Sequence, residues 1–158
     1  VEIDIPAGID DGQTMQLSGQ GEAGERGGPS GDLLITVRVR PHQMFERSGN
    51  DVYLNMPVTF VQAALGATLT VPTLDGVVEY DIPEGTQSGT RFRLRGKGVP
   101  KLHGNGARGD QYVKINIEIP KNLSEKQKDI LRQFGETVEP AKYHDRKSFF
   151  DKMKDLFK

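Results

Sequence analysis

The strongest constraint on this chain is that it repeats itself. VEIDIPAGIDDGQTMQLSGQG at 1–21 lies over VEYDIPEGTQSGTRFRLRGKG at 78–98 with an offset of 77, and ten of the twenty-one positions are identical. After a one-residue shift the match resumes, Gly31-Asp32 before LLITVRV meeting Gly109-Asp110 before QYVKINI. Self-similarity of this length calls for two units of one local architecture. Both units read as strands. Val1, Ile3 and Ile5 alternate with Glu2 and Asp4, as Val78, Tyr80 and Ile82 do later; Leu33, Ile35, Val37 and Val39 alternate with Thr36, Arg38 and Arg40, matched by Val113, Ile115, Ile117 and Ile119. A period of two places one face on a core and the other in water. With 19 Gly and 9 Pro among 158 residues, turns are frequent, and the pattern predicts a mainly β fold of short strands.

The second copy is preceded by NDVYLNMPVTFVQAALGATLTVPTLDG, whereas the first has no such stretch ahead of it. The chain is therefore expected to start in the middle of its first unit. Within residues 50–76, Thr59 is placed to cap a short helix, Phe60 to Leu65, ended by Gly66. Ala67 to Thr73 then reads as a strand, and Thr73-Leu74-Asp75-Gly76 as a turn into a strand over 77–82.

GKGVPKLHGNGARGD, at 96–110, contains a G-x-G-x-x-G, an Arg-Gly-Asp and a Gly-Lys-Gly. A dinucleotide fingerprint needs a strand before it and a helix after it, so that the helix N-terminus meets the pyrophosphate. Here a strand, Gln111 to Ile119, is expected next. The Gly-Asp recurs at Gly31-Asp32 without the Arg, which points to a structural turn whose carboxylate bonds nearby backbone N–H groups.

Net charge is −1, which gives no general attraction to nucleic acid or membranes. There is no cysteine, so disulfides and thiolate metal sites are excluded within these residues. His42, His103 and His144 are scattered, and the acidic residues interleave with basic ones, so no catalytic constellation is expected and the chain does not read as an enzyme. Arg91, Arg93 and Arg95 alternate with Phe92 and Leu94, where the first copy has Thr14, Gln16 and Ser18. The row is a solvated or charge-protected edge strand, an acceptor for an acidic peptide, or a nucleic-acid contact. The last lacks an accompanying row of aromatics in the sequence.

After residue 120 the pattern turns helical. Ser124 and Gln127 form a capping box, and Leu123, Gln127, Ile130, Leu131 and Phe134 lie on one stripe, with Gly135 as the expected stop. Glu136 to Arg146 reads as a polar linker, and Ser148 as the cap of a second short helix carrying Phe149, Phe150, Met153, Leu156 and Phe157. So many large apolar side chains must pack on the same chain or on a partner.

VEIDIPAGIDDGQTMQLSGQGEAG, GPSGDLLITVRVRPHQMFERSGNDVYLNMPVTFVQAALGATLTVPTLDG and RLRGKGVPKLHGNGARGDQYVKINIEIPKNLSEKQKDIL together resemble the C-terminal, substrate-binding region of bacterial DnaJ co-chaperones. The resemblance covers nearly the whole chain. It implies two tandem β-sandwich-like domains, the first incomplete at its start (1–44 and 45–120), then a helical dimerisation segment and tail (121–158). The family's J domain, Gly/Phe-rich linker and zinc-binding cysteine repeats have no counterpart here. No cofactor is expected in these residues, and zinc only in the cysteine-rich module of a full-length protein. The resemblance further implies a cytoplasmic heat-shock co-chaperone that binds unfolded polypeptide and passes it to DnaK. The client groove would map to Val1, Ile3 and Phe45, where an extended segment adds beside a strand. Val1 and Ile3 also read as plain core, and Phe45 as a hinge residue between the two domains. The resemblance favours a homodimer over folding back, with Leu123, Ile130, Leu131, Phe134, Phe149, Phe150, Met153 and Phe157 at the contact. It also makes DnaK's C-terminal tail a possible acidic ligand of Arg91, Arg93 and Arg95, although in the family such binding belongs more naturally to the first domain.

Overall fold

Residues 2–158 are described by a computed structural model of the chain, and Val1 lies outside them. The chain divides into two compact units, Val1–Ile119 and Pro120–Lys158.

In the first unit the sequence repeat becomes a repeat of strand pairs. Strand β1 (Thr14–Leu17) runs antiparallel to β2 (Leu33–Thr36), with Thr14 opposite Thr36. The second copy adds β3 (Phe45–Ser48), β4 (Asp51–Thr59), the helix α1 (Phe60–Leu65), β5 (Ala67–Thr73) and β6 (Gly76–Ile82) before β7 (Arg91–Leu94) and β8 (Gln111–Glu118). Arg91 stands opposite Lys114, the same register as the first pair. The connecting bonds repeat as well. Gly12 N–H donates to Val37 at 2.8 Å where Gly89 donates to Ile115 at 2.7 Å, and Gly21 donates to Gly31 at 2.8 Å where Gly98 donates to Gly109 at 2.9 Å.

What surrounds these pairs differs between the copies. In the second, β4 lies parallel to β8 and β3 antiparallel to β4, giving a four-stranded sheet of order β3-β4-β8-β7. A separate antiparallel pair, β5-β6, faces it. The core lies between them: Val52, Leu54 and Val58 from β4, Val113 and Ile115 from β8, Leu69 and Val71 from β5, Ile82 from β6 and Ala63 from α1. Tyr80 stacks on Phe92 with ring centroids 3.7 Å apart. Helix α1 begins with the expected Thr59 cap, which proves to be a capping box with Gln62, and ends at Gly66, where φ is 77°.

The first copy buries one large apolar residue, Ile9, among those described. Residues 2–5, expected to form a strand, make no ladder, and Ile3 and Ile5 are 40% and 62% exposed. The equivalent segment in the second copy is β6, which is held along its length by β5; no described segment offers residues 2–5 such a partner. The first copy is tied to the second by Arg47, whose guanidinium donates to the carbonyls of Gly8 and Ile9 at 3.0 and 2.9 Å.

The second unit is helical. Helix α2 (Glu125–Thr137) starts with the expected Ser124–Gln127 capping box. It does not stop at Gly135. The end comes at Val138, which is extended, as is Glu139 next to Pro140; a proline excludes the helical region for the residue before it, and the helix must finish upstream. The expected polar linker is also shorter than the sequence suggests. A single turn of 3-10 helix, Pro140–Lys142, leads directly into α3 (His144–Leu156). Ser148 is thus inside α3, not its cap; Tyr143 precedes the first turn, where Asp145 faces the positive end of the helix.

Candidate functional site

The loop holding the three overlapping motifs is spent on its own structure. Lys101 N–H donates to Ala107 at 2.8 Å, Gly104 to Lys101 and Ala107 to Gly104 at 3.0 Å each. Arg108 donates from Nε and Nη2 to the Gly98 carbonyl at 2.9 and 2.6 Å and pairs with Asp75. Asp110 accepts from Gly96 N–H at 2.9 Å. A strand follows, not a helix, so the geometry for a bound pyrophosphate is missing.

Of the expected groove residues, Val1 lies outside the described residues. Ile3 is accessible. Phe45 is 8% exposed, belongs to the core of the second copy and tilts against His42 at 4.9 Å between ring centroids. Its side chain therefore serves the interior of the second sandwich, and Phe45 also borders a depression of about 210 Å³ with His42, Met44 and Tyr53. Nothing in the polar stretch PHQMFERSG reveals this, because the burying partners come from β4 and beyond.

Of the expected dimerisation residues, Ile130, Leu131 and Phe134 lie on α2 and Phe149, Phe150 and Met153 on α3, neither of which holds a buried residue; Leu123 precedes α2 and Phe157 follows α3. Ile130, Leu131 and Phe134 on α2, and Phe149 and Met153 on α3, are exposed, and Leu156 and Phe157 stand 76% and 80% in solvent. Leu123 and Phe150 are half-buried. Phe150 meets Phe149 edge-on at 5.3 Å and carries the Arg146 guanidinium 4.7 Å above its ring.

Arg91 and Arg93 project from the outer face of β7, and Arg95 follows the strand. The sequence shows no aromatics beside them, but the structure does. Arg93 stands opposite Tyr112 of β8, and Tyr112 stands beside and stacks on Tyr53 of β4, with centroids 5.3 Å apart. The signal was there in part, since both tyrosines sit on the polar phase of alternating strands. Their pairing depends on the parallel register of β4 with β8, which no local pattern discloses.

Among the described residues no group of three or more His, Asp or Glu is arranged to hold a metal ion. No described helix is long and apolar enough to cross a membrane.

Comparison with known proteins gives the same picture as the repeat. The family model described as "DnaJ C terminal domain" matches residues 1–120, and that described as "Chaperone protein DnaJ C-terminal region" matches 126–158. The chain is 61% identical over all 158 residues to the chaperone protein DnaJ of Ruminiclostridium cellulolyticum, covering 41% of that protein. It is 57% identical to that of Clostridioides difficile, again over the whole chain and 41% of the relative. With that of Acetivibrio thermocellus it shares 59% over 98% of the chain and 40% of the relative. The chain thus spans about two fifths of the length of the curated relatives it matches. With its mainly β first unit, its repeated strand pairs and its helical C-terminal unit, this chain belongs to the DnaJ C-terminal domain family.

Proposed function

We propose that this chain is the client-holding and pairing part of a cytoplasmic DnaJ co-chaperone. In a full-length protein it would hold unfolded polypeptide for transfer to the DnaK chaperone and join two copies through residues 121–158. The observation that carries the pairing is the absence of any buried residue on α2 or α3, although both carry large apolar side chains. Each such side chain gains about 1.5–3 kcal/mol on full burial, so these helices are driven to find a cover. A second copy of the same segment supplies one by symmetry. Two client sites held in one dimer would then grip a single chain with avidity.

Light scattering tests this. The chain should run at the mass of two copies, and replacing Phe149, Phe150 and Phe157 by Ser should bring it to the mass of one. A monomer at the outset, at concentrations well above micromolar, would count against pairing through this segment. For the client role, an unfolded polypeptide labelled for fluorescence anisotropy should bind the chain, and Ile3→Asp should weaken it.

A second reading, a pairing scaffold that holds no client in these residues, is favoured by the burial of Phe45 in the second core. A dimer that shows no anisotropy change with unfolded polypeptide would establish it.

A further inference from the structure

One turn of the repeat is used differently in the two copies. In the second, Gly85 and Thr86 donate their backbone N–H groups to Ala64 and Ala63 of α1, at 3.2 and 3.0 Å. At the corresponding positions of the first, Gly8 and Ile9 turn their carbonyls to Arg47 of β3, which donates from Nη2 at 3.0 Å and from Nη1 at 2.9 Å. Its Nε donates to the Gly49 carbonyl at 2.8 Å, and the Asp10 carboxylate lies 3.6 Å from the same nitrogen. Each nitrogen of the guanidinium is thus engaged, two on the first copy and one on the turn between β3 and β4.

The same Gly8 turn rests on the loop that holds the three apparent motifs. A Cβ at Gly8 would lie 2.0 Å from the Pro100 carbonyl oxygen and 2.8 Å from the Leu102 nitrogen, whereas a Cβ at Gly85 would meet nothing within 4 Å. Both glycines have positive φ, 91° and 77°. The repeated turn therefore needs its backbone conformation in both copies, but the close approach belongs to the first alone. The loop is fixed in its turn to the second copy, since Val99 N–H donates to the Asn50 carbonyl at 2.8 Å and Arg108 holds the carbonyl of Gly98. Ile9, the large apolar residue that the first copy buries, lies at this joint.

We propose that Arg47 and the loop around Pro100 lock the two copies into one rigid arm, which gives the first copy a fixed direction relative to the second. Residues 40–44 form no ladder and are exposed. Units joined only by such a segment move relative to one another by default. Here the entry to β3 is held as well: His42 Nδ1 accepts the N–H groups of Met44 and Phe45 at 3.0 and 3.3 Å, and Phe45 is anchored in the second core. From that anchored strand Arg47 reaches back, and its planar fork suits two neighbouring carbonyls as a lysine ammonium does not. The lock is independent of client binding and of pairing through residues 121–158.

The chain has no cysteine, so Leu34→Cys on the first copy and Glu79→Cys on the second, both exposed positions, can carry a pair of spin labels. Double electron–electron resonance on the labelled chain, diluted in an excess of unlabelled chain, reads the distance between the copies within one molecule. The unaltered chain should give one narrow distribution. Arg47→Ala should broaden it about twofold or more, and Arg47→Lys should not restore the narrow form. Gly8→Ala, which drives the Pro100–Leu102 backbone away, should shift its centre. Amide hydrogen exchange at Val113 and Ile115 should stay as slow as in the unaltered chain, because the second core is intact. The proposal is overturned if the unaltered chain gives a broad distribution, if either Arg47→Ala or Gly8→Ala leaves the distribution as it was, or if the broadening comes with lost protection at Val113 and Ile115, which would place the role of Arg47 in the second core and not at the joint.

Discussion

Asp110 accepts the backbone N–H of Gly96 at 2.9 Å, and one repeat earlier Asp32 accepts that of Gly19 at 3.1 Å. In both copies the carboxylate heads the second strand of a pair and ties down the turn that follows the first. The Gly-Asp of the apparent Arg-Gly-Asp is thus a device of the fold.

Asp110→Ala removes this acceptor and the carboxylate nearest Arg93. The expected cost is about 1–2 kcal/mol in urea unfolding. Asp110→Asn keeps an oxygen in place and should cost less. If the two variants unfold together, the turn does not depend on this bond.

Ile115 and Ile119 are spaced alike on the sequence alternation, but Ile115 is wholly buried and Ile119 is 67% exposed. Ile115→Ala should cost about 2–5 kcal/mol. Ile119→Ala should stay within about 0.5 kcal/mol of the unaltered chain. Comparable losses at both positions would contradict the placement of the core.

Gly109 and Gly135 should respond in opposite directions. A Cβ at Gly109 would lie 2.0 Å from the Asn50 carbonyl oxygen, so β8 and the turn before β4 would have to separate. Gly109→Ala is expected to cost about 3 kcal/mol. Gly135 lies inside α2 with open space around it, and Gly135→Ala should stabilise that helix by about 1 kcal/mol. Thermal unfolding followed by circular dichroism reads both.

Ser124 caps α2, whereas Ser148 is inside α3. Ser124→Ala should cost the second unit about 1 kcal/mol and lower its helical signal at elevated temperature. Ser148→Ala should not destabilise α3. A loss at Ser148 similar to that at Ser124 would mean that α3 begins five residues later, at Phe149.

Local chemistry made much of this protein legible. The repeat, the alternation of β7 and β8, the caps at Thr59 and Ser124 and the structural role of Gly-Asp all follow from interactions spanning a few residues, or from comparing the chain with itself. Gly135 and Ser148 misled because their propensities are weak and neighbours decided: Pro140 set the end of α2, and the 3-10 turn set the start of α3. Residues 2–5 have the alternation of a strand but form none, because a strand needs a partner and alternation describes only one side of the pair. Phe45 and the Tyr53–Tyr112 stack were beyond reach for the same reason. Burial and stacking there come from β4 lying parallel to β8, whose residues are about sixty positions apart. Sequence alone determined the repeated unit, part of its strands and its family; tertiary structure decided which segments pair, which apolar residues they hide and which faces they leave to partners, because these depend on contacts between segments with no local signal of their meeting.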